Sequence, residues 1–289
     1  MISYERFKNA VRTDLKKYLP EEYAAHKLVE KKLYKINRCV DTFRLQPPGP
    51  AADHGPMATL NYQDMYRSIV GGAKLETVLQ SIARLLQFRM PPGVEADSLL
   101  LQESKPDKES IHLALINHKR NRQLLKNVPH QDFLDLAAIA VLEQGPGSGY
   151  LCVVTNDILK DLDMDQEELL KTACDNTFHA YPAILEESQL GLNAWCEGST
   201  FGAVCLLDKQ LLRDAAEQLD SDLYVLPDSL HLLFLVAVKS VPRAIILDTF
   251  RQATLLEPDA LDYLSDNVYY YDRRQDSLKI LRDHSKLPS

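Results

Sequence analysis

The sequence predicts an α+β protein of two lobes, built from antiparallel hairpins with helices packed on one face. Three observations carry this expectation. Apolar runs of strand length recur in pairs around turn residues, these hairpin signals outnumber strand-helix-strand alternation, and no glycine-rich fingerprint follows a strand as a parallel dinucleotide-binding sheet would require. With 289 residues, 45% hydrophobic and 26% charged, the chain has the balance of an ordinary globular protein, which excludes disordered and fibrous classes.

Tyr4, Phe7, Val11, Leu15 and Tyr18 fall three or four apart, so they line one face of a helix that Ser3 caps and Pro20 ends. Residues 26–45 alternate loosely around "INR" and predict a strand pair. Two helices follow. The first begins after Asn61, carries Tyr62, Met65, Tyr66, Ile69 and Val70, and stops at Gly71 and Gly72; the second runs from Leu75 to "MPPG". "PPGVEADSLLLQESKPDKES" is rich in Pro, Ser and charge, which sets an amino-terminal lobe at 1–95, a linker at 96–110 and a larger lobe at 111–289.

In the larger lobe "IHLALINH" reads as a strand and "NRQLLKN" as one or two helical turns. "FLDLAAIAVLEQ" reads as a single strand that returns through "GPGSG" into "YLCVVT". Asn156 is expected to cap a short helix. Asp165 and Glu168 stand in capping-box relation, with Met164 and Leu169 as the staple, so the main helix starts near Gln166. "LNAWC" and "FGAVCLLD" predict a second hairpin, followed by a helix after Asp208. "SDLYVLPDSLHLLFLVAVKS" supplies two strands, and Pro242 opens a helix carrying Ile246 and Phe250. A helical turn at "PDALDYL" precedes "NVYYYDRRQDSLKIL", read as an edge hairpin whose tyrosine hydroxyls meet solvent. "GYLCVVTNDILKDL" and "GAVCLLDKQLLRDA" match at four positions as strand leading into helix, a grammar too common to establish a duplication.

Net charge is −8 and the 33 basic residues are scattered, which argues against a nucleic-acid partner. No stretch approaches 18 uncharged apolar residues and the first 19 residues carry charges throughout, so neither a membrane nor secretion is expected; the expected location is the cytoplasm. Five cysteines, several among aliphatics, read as reduced and buried thiols.

Motifs for chemistry are sparse. No Cys-x-x-Cys is present and the eight histidines are scattered, so no metal or cofactor is expected. "GPGSGY" lacks the Lys and Ser/Thr of a phosphate loop, and "EGSTFG" breaks the spacing of a nucleophile elbow. Cys152 or Cys205 beside His130 or His231 would make a thiol nucleophile, but aliphatic flanks oppose the lowered pKa that one needs. The remaining candidate is a polar cluster. "VPHQDFLDLAAIA" and "LPDSLHLLFLVA" both place Pro and polar residues just before an apolar strand, which would gather His130, Asp132, Asp135, Asp228, Ser229 and His231 at one sheet edge. The competing reading is local turn chemistry, the default for Pro-initiated turns.

"NHKRNRQLLKNVPHQDFLDLA", "SDLYVLPDSLHLLFLV" and "LSDNVYYYDRR" together resemble the signature segments of a bacterial family, seen mainly in gut Clostridia and catalogued as domain of unknown function 5688. The resemblance spans nearly the whole chain. A fainter similarity, through "VPHQD" and "VVTNDILKDLDMDQEELLKTA", points to domain of unknown function 1444. The first resemblance implies no assigned activity, cofactor or catalytic residue. Family members often place an acidic residue after the His of the second segment, where this chain has Leu232.

Two functions of different classes follow as expectations. The favoured one is a non-catalytic protein-binding or regulatory module that presents Tyr269, Tyr270 and Tyr271 as an edge for a partner's sheet. The alternative, which leaves catalysis open, is a small hydrolase or transferase using the His130, Asp132 and His231 region.

Overall fold

Ser3 accepts a hydrogen bond from the backbone N–H of Arg6 and so starts the first helix, α1 (Tyr4–Asp14). The computed structural model describes residues 2–48, 59–89, 107–143, 151–256 and 261–282. Contacts divide the chain into two compact units, Met1–Ser104 and Lys105–Ser289.

In the first unit β1 (Lys27–Lys35) and β2 (Arg38–Gln46) form an antiparallel hairpin whose tip holds Asn37 at φ 57°, a conformation Asn tolerates better than most residues. β3 (Leu60–Asn61) pairs with β2, and Asn61 then caps α2 (Tyr62–Val70) by accepting from the Gln63 N–H. α3 (Leu75–Arg89) completes the unit. The apolar faces of these helices meet β2 in one core that buries Phe7, Phe43, Tyr62, Ile82 and Leu86. β1 ends its sheet and is largely exposed. Its four lysines keep a nine-residue edge from pairing with other chains.

The second unit holds two antiparallel sheets. The first joins β4 (Ile111–Asn117), β5 (His130–Phe133), β6 (Leu136–Glu143) and β7 (Leu151–Val153) in the order β4-β6-β5, with β7 also on β6. α4 (Asn156–Leu162) follows. α5 (Gln166–Ala180), which Asp165 caps through the Glu168 N–H, lies across β4, β6 and β5. The second sheet contains β8 (Ala183–Ser188), β9 (Gly191–Cys196), β10 (Leu223–Pro227), β11 (Leu233–Ala237), β12 (Tyr269–Asp272) and β13 (Ser277–Ile280), in the order β13-β12-β10-β11-β9-β8. α6 (Lys209–Gln218) is capped by Asp208, and α7 (Arg243–Leu256) packs Ile246 and Phe250 on Tyr224 and Val236. The architecture is α+β with three antiparallel sheets across the two units.

Several local expectations are corrected. "FLDLAAIAVLEQ" is not one strand: the chain reverses at Leu134–Asp135, pairing Phe133 with Leu136 and His130 with Ile139. "FGAVCLLD" is a 3-10 helix, Gly202–Leu207, packed against β9 and β4; residues 202–206 are all buried and Leu207 is half-buried, so no polar face gives the run a period. That removes the strand-to-helix match with 149–162. The hairpin partner of β9 is β8, which the sequence reading omits. Thr155, not Asn156, caps α4. Of the expected linker, 96–106 lies outside the described residues, as do the 144–150 hairpin tip and part of "PDALDYL", whereas Lys108–Ser110 is a 3-10 turn capped by Asp107.

Gly202 is required by proximity. A Cβ there would stand 2.3 Å from the His231 carbonyl oxygen and 3.1 Å from the Trp195 Cβ, so the 3-10 helix reaches the β10–β11 connection only without a side chain. Gly202→Ala is expected to destabilise the fold by about 1–3 kcal/mol, the usual cost of overpacking. Chemical denaturation checks this, with Gly71→Ala in the first unit as the comparison, since its φ of −73° suits any residue and the new carbon would meet nothing nearer than 3.4 Å.

Candidate functional site

The sharp turn at Leu134–Asp135 is the starting point for the site. Leu134 sits at φ 57°, where a two-residue hairpin of this kind prefers Gly, and a bulky residue stays there only when its surroundings enforce it. The enforcement comes from Asp135. Its Oδ2 accepts from Ser265 Oγ (2.7 Å) and Asn267 Nδ2 (2.9 Å), and its Oδ1 accepts from the Tyr269 hydroxyl (2.7 Å). Its backbone carbonyl accepts from the His118 N–H at 3.1 Å. Burial, then the Asp135 charge, pushes the Tyr269 phenol far above its ordinary pKa, so the hydroxyl stays a donor.

With the turn fixed, strand alternation places the side chains. Phe133 and Leu136 close the turn as a hydrogen-bonded pair, so the backbone groups of His130 and Asp132 face away from β6, and the His130 carbonyl accepts from Gln166 Nε2 at 2.9 Å. Gln131 and Phe133 share the α5 side of the sheet with Ala138 and Leu113. His130 and Asp132 share the opposite side. There His118, just past the end of β4, joins them: its Nε2 is 3.3 Å from Asp132 Oδ1, His130 Nε2 is 4.0 Å from the same oxygen, and the two imidazole centroids are 6.0 Å apart. His130 Nδ1 donates to the Val128 carbonyl at 2.8 Å, which leaves the Nε2 lone pair facing the cluster. His118 and His130 are half-buried and Asp132 is exposed. These three are a group whose ligating atoms all lie within 4.8 Å of one another.

Between β5 and α5 runs an open cleft of about 730 Å³, with Leu113, Phe133 and Leu170 beneath a rim that includes Glu167, Lys171 and Asp175. Cys174 also lines it. Burial and the neighbouring Asp175 push that thiol above its ordinary pKa, the reverse of activation. Cys196 and Cys205 are sealed in the core; burial pushes the Cys196 thiol up to about 12 and the Cys205 thiol well above its ordinary value.

The six residues expected at one edge are therefore divided. His130 and Asp132 meet, with His118 as the member that sequence reasoning missed, although a His-x-Asp on a strand already puts two of the side chains on one face. Asp135 serves the turn. Asp228, Ser229 and His231 belong to the other sheet, in a connection closed by the N–H groups of 228 and 229 on the Leu232 carbonyl; Ser229 Oγ accepts from the His231 N–H, and His231 Nδ1 donates to the Thr200 carbonyl. The tyrosine edge is corrected as well. β12 lies between β13 and β10, Tyr269 and Tyr271 are buried, and the hydroxyls of Tyr270 and Tyr271 donate to Asp222 and Asp276 at 2.6 Å each. Carboxylates from elsewhere in the chain take the place that solvent was expected to fill.

The family model described as "Family of unknown function (DUF5688)" matches residues 4–197 and 194–273. The chain belongs to this family. The fainter similarity to domain of unknown function 1444 is not confirmed. No curated protein and no solved structure matches the chain. Within this DUF5688 chain, the segment 117–137 builds the clamped turn and carries all three clustered ligands.

Two outcomes test this description. Asp135→Ala is expected to cost about 3 kcal/mol, because buried donors lose a charged acceptor, and urea unfolding measures it. The second concerns acid. The Arg213 guanidinium, then the Tyr271 hydroxyl, hold Asp276 down to about 2, and the Tyr270 hydroxyl holds Asp222 below the ordinary carboxylate range. Folded values lower than unfolded ones stabilise fully above about pH 4, and that contribution is lost as pH falls toward about 2. Intrinsic-rate-corrected amide exchange should therefore show β12–β13 losing protection across that window, and unchanged protection would contradict the assignment.

Proposed function

We propose that this chain is a non-catalytic binding or regulatory module of the bacterial cytoplasm that holds a protein partner along the outer edge of β5. The observation that carries the reading is that edge itself: the strand ends its sheet with the Asp132 backbone N–H and carbonyl directed outward, beside an apolar-floored cleft with a charged rim. An extended segment of a partner would add hydrogen bonds at the strand edge and side chains in the cleft. Gln166 donates to the His130 carbonyl on this edge, so a partner would displace that bond or use the carbonyl's second lone pair. Net charge −8 disfavours a nucleic-acid partner. Among the described residues no helix is long and apolar enough to cross a membrane, and no membrane partner is proposed.

A second reading, a small hydrolase or transferase, is favoured by one observation, the convergence of His118, His130 and Asp132. His231 has no place in it, being held on the Thr200 carbonyl in the other sheet.

The binding reading is tested by cross-linked capture from native bacterial lysate with the wild-type chain and with Glu167→Lys/Lys171→Glu, a charge exchange on the exposed rim. Wild type should retain an identifiable protein about tenfold better than the double variant, since rim charges steer association. Equal retention by both, or none by either, overturns it.

A further inference from the structure

We infer that His118, His130 and Asp132 form a binding site for one divalent transition-metal ion of the zinc type, on the strand whose outer edge the proposed partner would use and beside the same cleft. The set consists of two imidazole nitrogens and one carboxylate oxygen, which suits such ions and not magnesium, whose preference is for oxygen and water. Geometry agrees. Ligands at about 2.0 to 2.1 Å on a tetrahedral ion lie about 3.3 Å apart, and His118 Nε2 and Asp132 Oδ1 are 3.3 Å apart. His130 Nε2, 4.0 Å from the same oxygen, must approach by about 0.7 Å to reach that spacing. The exposed Asp132 side chain can supply this by rotation about its own χ angles.

The anchoring of the His130 ring is a second and separate observation. Metal-bound histidines characteristically donate their other ring N–H to a carbonyl or carboxylate, which fixes the ring and presents the lone pair to the ion. His130 Nδ1 has that partner in the Val128 carbonyl at 2.8 Å, so in the neutral ring Nε2 is the nitrogen that presents its lone pair to His118 and Asp132. A simple ion pair between His118 and Asp132 would need neither His130 nor this orientation. The three side chains also come from two anchored segments. The His118 N–H is bonded to the Asp135 carbonyl, and β5 is held by its ladder to β6, so the ligand cage is arranged before any ion arrives. Three protein ligands leave at least one coordination position open to water or to another molecule's donor atom, as in sites where zinc acts on a ligand instead of only bracing a fold.

The test uses the full chain, stripped with a chelator and dialysed, then titrated calorimetrically with zinc alone and with magnesium alone. One equivalent of zinc and no saturable magnesium binding are expected. His118→Ala, His130→Ala and Asp132→Asn should each weaken zinc binding by at least about tenfold, the lower end for disturbing such sites. His179→Ala, on an exposed position of α5, should leave it unchanged. Circular dichroism of each stripped variant separates lost ligation from lost folding. Absence of a zinc isotherm in the wild type, or zinc binding that survives all three substitutions, overturns the assignment. Because His130 and Asp132 also line the cleft, partner capture is scored separately with the Glu167→Lys/Lys171→Glu rim variant, which leaves all three ligands in place.

Discussion

A single carboxylate organises the second unit. Asp135 lies at the tip of the β5–β6 turn and accepts from Ser265, Asn267 and Tyr269, residues 130 to 134 positions later in the chain. These bonds fasten one sheet to the segment that leads into the other. They also hold a strained turn, since Leu134 would not remain at φ 57° without them. The consequence reaches the site because strand faces alternate with a period of two. A slip of one residue in the β5 register would turn Gln131 and Phe133 toward His118 and bury His130 and Asp132 against α5.

The two core cysteines and the two clustered histidines are treated oppositely by this fold. Cys196 and Cys205 sit in the core around the 3-10 helix 202–207, where low polarity disfavours a thiolate, and they behave as small apolar groups. Tyrosine hydroxyls are likewise consumed: each of the three on β12 donates to an aspartate carboxylate, and burial plus that charge keep the phenols protonated. His118 and His130 remain at the surface, at the end of one strand and the start of another. Two imidazoles and one carboxylate thus converge where a ligand can reach them, while the two core thiols and the β12 hydroxyls hold the structure together.

What the sequence made legible follows from locality. Ser3, Asn61, Asp165 and Asp208 each cap a helix through a backbone N–H two or three residues on, so their roles are written in a few consecutive letters. The antiparallel pairing of β10 with β11 and of β12 with β13 is legible for the same reason. The turn at Leu134–Asp135 is not, because its usual signal is Gly and here distant side chains impose the conformation on Leu. The 3-10 helix 202–207 is hidden by its own composition: an apolar run buried from 202 to 206 has no polar face to betray its period. Tyr269–Tyr271 looked solvent-facing because their partners, Asp135, Asp222 and Asp276, include two from far along the chain. His118 escaped because its distance from His130, twelve positions, matches no helical ligand spacing and becomes close only once β4 and β5 flank β6.

The clamp and the cluster are one construction. The Asp135 side chain secures the turn, and so the face on which β5 displays His130 and Asp132, while its main-chain carbonyl takes the His118 N–H. Both carriers of the three clustered groups are therefore referred to the same residue, one through the carboxylate and the other through the backbone. A substitution that keeps the backbone bond but discards the negative charge would loosen β5 and leave His118 anchored, opening the distance between the imidazoles without touching either. Rigid support from a shared residue is what a small constellation on short strands needs, because β5 has only four residues and a ladder on one side to hold it.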